Sequence, residues 1–494
     1  MKPKIDRNVW LAAGGVASGL AVLYSVFLPS RNTWANFGGD GGDFLAAILS
    51  GGVPHPSGYP TYVLLGRLFQ LIPFGSPYWR GALLSALCMA IAAGLLAAWT
   101  AVFAVEGSRR PWVTGLAAGL LWGLAPMVWS QAVIVEVYGL QALFVTLWMW
   151  WASLLAAGRR GGWMGALALT AGLSVGNHLT ILLLLPAAGL AMVITTRRSA
   201  SKRWLGLQMG MTGLGLLIYL YLPLSAFGYP PVNWGNPQTL AGFVWTVTGQ
   251  PYRGLLFHTP PADLLDRISA WSRLIIEQYS IPGLLLGAVG VVQTRLRRFP
   301  QALLLWLFLA YTVFAIGYRT SDSILYLIPA WMAGAVWISQ GVELVWGWAW
   351  RIIPVGKLLV LILALVLLVR LPSSTRSIDP RQPEASAYAE VYLREAPANA
   401  ILMTLSDADT FPLWYAVYGL GERPDVVIIV KPLTVFPWYR QTLIHTYPNL
   451  TFPALDKPVG GEWAEAIAKL NAGRSLCRSQ ATQELIPKIT YDCH

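Results

Sequence analysis

The sequence predicts an all-α polytopic membrane protein of about 11 transmembrane helices, followed by a C-terminal extracytoplasmic α/β domain. Three observations carry that prediction. Hydrophobic residues fill 55% of the 494 positions and charged residues only 12%, whereas a soluble domain is roughly a quarter charged. Apolar segments of about 20 residues, long enough for a hydrocarbon layer about 30 Å thick, recur from Val9 to Leu371. The basic residues stand in short clusters between those segments.

A net charge of +12 on a soluble chain would point to nucleic acid. Here the clusters (Lys2, Lys4 and Arg7; Arg109 and Arg110; Arg159 and Arg160; Arg197, Arg198, Lys202 and Arg203; Arg295, Arg297 and Arg298; Arg351 and Lys357) alternate with apolar runs. They therefore report topology, and no nucleic-acid partner is expected. Placing every cluster in the cytoplasm gives one consistent threading of a multi-pass protein, in the plasma membrane if the cell is bacterial.

The first run, Val9 to Leu28, resembles a signal peptide but is long and lacks a convincing small-residue cleavage site, so it is assigned as a membrane anchor. A long outer loop follows at 29–80. Helices near Gly81 to Val105, Trp112 to Met127 and Leu140 to Ala157 come next, with an outer segment at Val128 to Gly139. The stretch Trp163 to Thr195 is too long for one crossing and breaks at Asn177 and His178. A helix near Leu205 to Phe227 leads to a second outer loop at 228–280. Helices near Ile281 to Val292 and Gln301 to Gly317, a returning helix after the Tyr318 to Ser323 turn, and a last one at Leu358 to Leu371 complete a transmembrane domain at 1–371.

An odd helix count places the remainder, 372–494, outside. Its helical pattern at Ala385 to Arg394 and apolar runs at Ala400 to Leu405 and Val426 to Val430 read as a small α/β unit. Cys477 and Cys493 lie there, and an oxidising compartment would permit a disulfide or leave two thiols.

The motif Gly38-Gly39-Asp40-Gly41-Gly42-Asp43-Phe44, with His55-Pro56-Ser57-Gly58-Tyr59-Pro60 after it, sets two carboxylates beside the membrane surface. Either can act as a general base toward a hydroxyl. The bland alternative is a helix start, because a three-residue spacing also imitates a capping box. His55 suits a phosphate or hydroxyl, and Tyr59 a sugar face or an interfacial anchor. Glu136, Asn177 and His178 are polar groups at helix ends or breaks, where membrane depth makes them costly. Asn233, Trp234, Arg253 and Arg319, with Arg80, offer amides, an aromatic ring and cations for an anionic ligand. No cysteine and histidine spacing suits zinc. A divalent cation between Asp40 and Asp43 stays open as a cofactor.

These motifs, with Trp129-Ser130, Glu136-Val137-Tyr138, Gly172 to His178, Asn233 to Pro237, and in the tail Asp407 to Tyr415 and Arg423 to Val426, resemble the transmembrane protein 260-like family, formerly a domain of unknown function and similar to protein O-mannosyltransferases. The resemblance implies a GT-C glycosyltransferase that takes a hexose, mannose above all, from a polyprenyl- or dolichyl-phosphate donor. The acceptor is a hydroxyl of an exported protein, glycan or lipid at the extracytoplasmic face. It implies inversion with Asp40, or less surely Asp43, as base, and membrane lipids as partners. A transporter or flippase of lipid-linked sugars is the competing class, and would keep its ionisable groups near the bilayer midplane. A non-catalytic scaffold would need no cavity at Asp40.

Overall fold

The computed structural model describes residues 6–104, 110–161, 163–197, 202–293, 298–352, 379–455, 461–482 and 487–494. Among these, eight helices are long and apolar enough to cross a membrane: Arg7–Ser25, Pro77–Ala104, Tyr138–Ala156, Leu179–Arg197, Lys202–Ala226, Pro261–Val292, Phe299–Gly317 and Asp322–Trp346. Pro111–Gly123 and Pro126–Ala132 make a ninth span if counted together. They are bent by 70° where the residue before Pro126 is pushed out of helical backbone. Trp163–Val175 is a shorter apolar helix, so the predicted break at Asn177 and His178 is present. The predicted last span, Leu358 to Leu371, and the boundary at 371/372 lie outside the described residues.

The outer loops are more structured than the sequence predicts. Within 29–80 lie the helices Gly41–Ser50 and Pro60–Phe69. The predicted loop at 228–280 holds the helix Leu240–Val247, and the helix opening at Pro261 runs through to Gln293. A kink at Ser280, whose φ is 59°, with Pro282 beyond it, falls where the sequence predicts a new helix to start. The apolar run is therefore joined to an amphipathic stretch that pattern reading takes for loop. Proline in the first turn and side-chain caps set several helix starts; Ser76 accepts from the Trp79 amide and Pro77 follows it.

The tail is built on a four-stranded sheet of order β2-β1-β3-β4: β1 (Ile401–Thr404) pairs parallel with β2 (Val427–Val430) and β3 (Leu476–Ala481), and β3 pairs antiparallel with β4 (Ile489–Cys493). Cys477 and Cys493 face one another across that last pair and are joined. The predicted helix and both apolar runs are found, as Glu384–Glu395, β1 and β2.

This tail docks on the end of the bundle where the first helix, Arg7–Ser25, emerges. Asn32 exchanges two hydrogen bonds with Ser386, at 2.8 and 3.1 Å, and Thr33 donates to Glu384 at 3.0 Å. Arg31 pairs with Glu390, and the Tyr229 and His445 rings stack at 3.7 Å. The tail's hydrophobic core takes in Ala46, Ala47, Val232 and Trp234 from the outer loops. The contact is thus an extension of the core rather than a polar touch. Gly42 permits it: a Cβ there would lie 2.5 Å from the Phe411 carbonyl oxygen.

Candidate active site

A cavity of about 850 Å³ opens at this junction. Asp40, His55, Tyr59, Glu136, His178 and Arg253, all singled out from sequence, line it. Asp322 and Asp407 join them, with Tyr138, Tyr252, Tyr318 and Tyr326 forming much of the wall.

Asp40 ends a 3-10 turn, Ala35–Asp40, in which Asn36 and Phe37 hold left-handed backbone at φ 60° and 64°. Such a turn is costly for residues with a Cβ. Gln131 steadies it by donating to the Asn36 carbonyl at 2.7 Å. Asp40 precedes the helix Gly41–Ser50 but makes no capping bond, so the helix-start reading does not account for it. Its side chain is 45% exposed, toward the cavity.

Asp43, one turn on, is fully buried and faces away from the cavity. Its Oδ2 accepts from the His55 amide at 2.9 Å and meets the ring Nδ1 at 2.7 Å, while Oδ1 accepts from the Trp234 indole at 3.1 Å. A carboxylate so held orients a histidine rather than meeting a substrate. The opposite ring nitrogen of His55 lies 3.6 Å from Asp40. The imidazole therefore bridges the two carboxylates, and Phe44 and Tyr59 pack on it with ring centroids at 5.0 Å.

Burial alone would push His55 down, but the Asp40 charge and the hydrogen bond and charge of Asp43 outweigh it and take the imidazole up to about 9. His55 is an imidazolium at neutral pH. Asp40 is raised above the ordinary carboxylate range by burial, against the lowering charge of His55, with Asp322 and Asp43 adding repulsion. Glu136 is raised by burial and then by Asp40. Burial takes His178 the other way, to about 4, so it is a neutral ring among Tyr59, Tyr138 and Tyr326 at 5.5 to 6.1 Å. Between Asp40 and Asp43, where the sequence leaves a divalent cation open, the positive charge is that of His55, and both Asp43 oxygens already hold N–H donors. Among the described residues no three histidine, cysteine or carboxylate groups come together to hold a metal ion.

Five sequence candidates stand outside the cavity wall. Besides Asp43 these are Trp234, which orients it; Asn177, buried and donating to Gln141 at 3.2 Å and to the Val137 carbonyl at 3.4 Å; Asn233, buried and donating to Asn236 at 3.3 Å; and Arg319, exposed on the Tyr318 to Ser321 turn. Asn177 and Asn233 brace turns because a chain break beside apolar spans leaves backbone carbonyls and amides to be satisfied. Arg80 likewise closes its own loop on the Gln70 and Gly75 carbonyls.

Sequence reasoning misses Asp322 and Asp407. Asp322 reads as a solvated turn residue. Asp407 carries a usable signal: it opens a helix, Asp407–Trp414, just after the parallel strand β1, and ligands favour the carboxyl ends of parallel strands.

Residues 40–202 match the domain described as the protein O-mannosyl-transferase TMEM260 N-terminal domain, and 385–450 match TMEM260-associated domain 2. Both matched regions are similar to domains of one family, TMEM260. It is 26% identical to the mouse (Mus musculus) protein O-mannosyl-transferase TMEM260, over 89% of this chain and 65% of that one. The Dictyostelium discoideum tmem260 protein is 23% identical, over 84% and 57%. The chain thus spans less than two thirds of either relative.

Among solved structures, ArnT from Cupriavidus metallidurans bound to undecaprenyl phosphate superposes with a TM-score of 0.58 at 14% identity, covering 96% of this chain and 97% of that one. The Archaeoglobus fulgidus oligosaccharyltransferase with Zn and sulfate gives 0.55 at 15%, covering 95% and 68%. The oligosaccharyltransferase AglB from Archaeoglobus fulgidus, in complex with an inhibitory peptide and a dolichol-phosphate, gives 0.52 at 14%, over 95% and 69%. The fold is that of these membrane enzymes, the GT-C class expected from the resemblance.

Proposed function

We propose that this chain is a membrane glycosyltransferase that moves a hexose, mannose by its relatives' names, from a polyprenyl-phosphate donor to the hydroxyl of a protein serine or threonine. In this reading the N-terminus is cytoplasmic and the tail and cavity extracytoplasmic, an orientation supported by the basic clusters between the apolar runs. The observation that carries the reading is Asp40, an accessible carboxylate with no hydrogen bond to the described residues, facing a cavity beside the imidazolium of His55. A transporter would place such groups near the bilayer midplane; here they belong to outer turns.

In a direct displacement the acceptor oxygen attacks the anomeric carbon while its bond to the donor phosphate breaks. The phosphate leaves with the electron pair, the acceptor proton passes to Asp40, and the anomeric configuration inverts. A raised pKa makes Asp40 a stronger base than free aspartate. The His55 charge favours its ionised form against burial, and Asp43 holds that imidazole in place. The departing phosphate gains charge, which a cation stabilises. Arg253, anchored to the Thr248 hydroxyl at 2.8 Å, is the one arginine lining the cavity among the described residues. Leu182, Leu183, Leu255, Leu256 and Phe314 make its apolar side, suited to the prenyl chain.

The test is purified protein incubated with polyprenyl-phosphate hexoses and a serine/threonine-rich peptide, with the product's anomeric configuration read by NMR. Transfer from one donor with inversion is expected. Retention, or no donor consumed while labelled donor crosses the bilayer, would overturn the reading.

A further inference from the structure

We infer that the tail builds the acceptor side of the site: the face of the helix Asp407–Trp414 carrying Asp407, Ala408 and Phe411 binds the acceptor peptide, and Asp407 accepts a hydrogen bond from it. This deepens the transferase reading and rests on it.

Asp407, Ala408 and Phe411 fall at positions i, i+1 and i+4, one face of a helix, and all three line the cavity. Phe411 lies flat over His55 with ring centroids 6.4 Å apart. The face therefore closes the cavity over the Asp40 and His55 pair. Docking of the helix is fixed by the close approach of the Phe411 carbonyl to Gly42.

Asp407 is free for a ligand because its neighbour does the structural work. Asp409 accepts from the Ser406 amide and hydroxyl at 2.7 and 2.9 Å, from the Leu405 amide at 3.0 Å and from the Ser479 hydroxyl at 2.6 Å. Asp407 makes no hydrogen bond or ion pair to the described residues and opens on the cavity. Asp407 is exposed on the cavity side, so its carboxylate can accept from a ligand that enters without first breaking a protein contact. The sides of the cavity also differ. Leu182, Leu183 and Phe314 belong to helices that enter the lipid, so a lipid-linked donor arrives there. The tail stands in water, so a water-borne acceptor meets the tail face first. An extended peptide carries N–H donors beside its serine or threonine hydroxyl, which suits a lone acceptor carboxylate.

Two measurements test this. In the transfer assay, Asp407→Asn should raise the peptide KM about tenfold while kcat at saturating peptide and the donor KM change less than twofold; Asp407→Glu should recover most of the loss. An unchanged peptide KM, or a raised donor KM instead, would overturn the assignment. Independently of turnover, an Ala408→Cys variant offers one reactive thiol, since Cys88 is buried and Cys477 and Cys493 are joined. Serine/threonine-rich peptide should slow its maleimide labelling at least fivefold, and polyprenyl phosphate should not. Protection by the lipid alone would contradict the proposal. If peptide protects the thiol of the Ala408→Cys variant but wild type consumes no donor, the transferase reading fails and the acceptor face stands.

Discussion

Between pH 6.5 and about 9, His55 keeps in the folded chain a proton it would release when unfolded. Its contribution to stability is therefore complete below pH 6.5 and lost as pH rises through about 9, on the order of 3 kcal/mol across that window. Thermal unfolding in detergent should show a melting temperature that falls from pH 6.5 to 9 in wild type. It should be lower and flatter in His55→Gln, and an unaltered slope in that variant would remove the imidazolium from the account. Trp234→Phe tests the buried end of the same chain of contacts. It leaves Asp43 Oδ1 without its donor, and an unsatisfied buried acceptor costs about 1–3 kcal/mol, more for a charged one. The expected result is a lower melting temperature together with weaker transfer; wild-type values for both would show that Asp43 does not depend on the indole.

The helices Gly41–Ser50 and Asp407–Trp414 meet at a glycine, and their fit is why the motif glycines matter. Gly42→Ala would drive a methyl group into the Phe411 carbonyl, and such overpacking costs about 1–3 kcal/mol. We expect limited proteolysis to release the tail faster and transfer to fall at least tenfold, with the membrane domain still folded; intact docking would contradict the packing argument. The paired carboxylates in their glycine-rich loop were legible in the sequence because polar groups at a membrane edge stand out against apolar runs. The division of labour between them was not. Spacing makes Asp40 and Asp43 look equivalent, and only the fold turns one toward the cavity and the other under His55. Arg253 and Arg319 likewise share the same local signature of an outer-loop cation, and turn direction alone separates cavity from solvent. The reverse holds in the tail, where Asp407 and Asp409 both stand in the first turn of a helix and only Asp409 accepts from the Ser406 amide at its start.

For the molecule as a whole, spans were legible from hydropathy because lipid demands long apolar helices with satisfied backbones. Of the helices within the outer loops, Gly41–Ser50 was legible only as an alternative helix start, and Pro60–Phe69 and Leu240–Val247 escaped because their apolar runs are too short for a crossing. The resulting cavity has an apolar side on lipid-entering helices, a wall from the tail, and Asp40 between them. Arg253→Ala should raise the donor KM about tenfold with little change in peptide KM, measured by steady-state transfer; an effect on the peptide alone would move the phosphate elsewhere. The central claim, that Asp40 takes the acceptor proton, is tested most directly by single-turnover transfer with saturating donor and peptide. Asp40→Asn should slow the chemical step at least a thousandfold while the variant keeps its melting temperature and binds polyprenyl phosphate as wild type does; a rate within tenfold of wild type would contradict it.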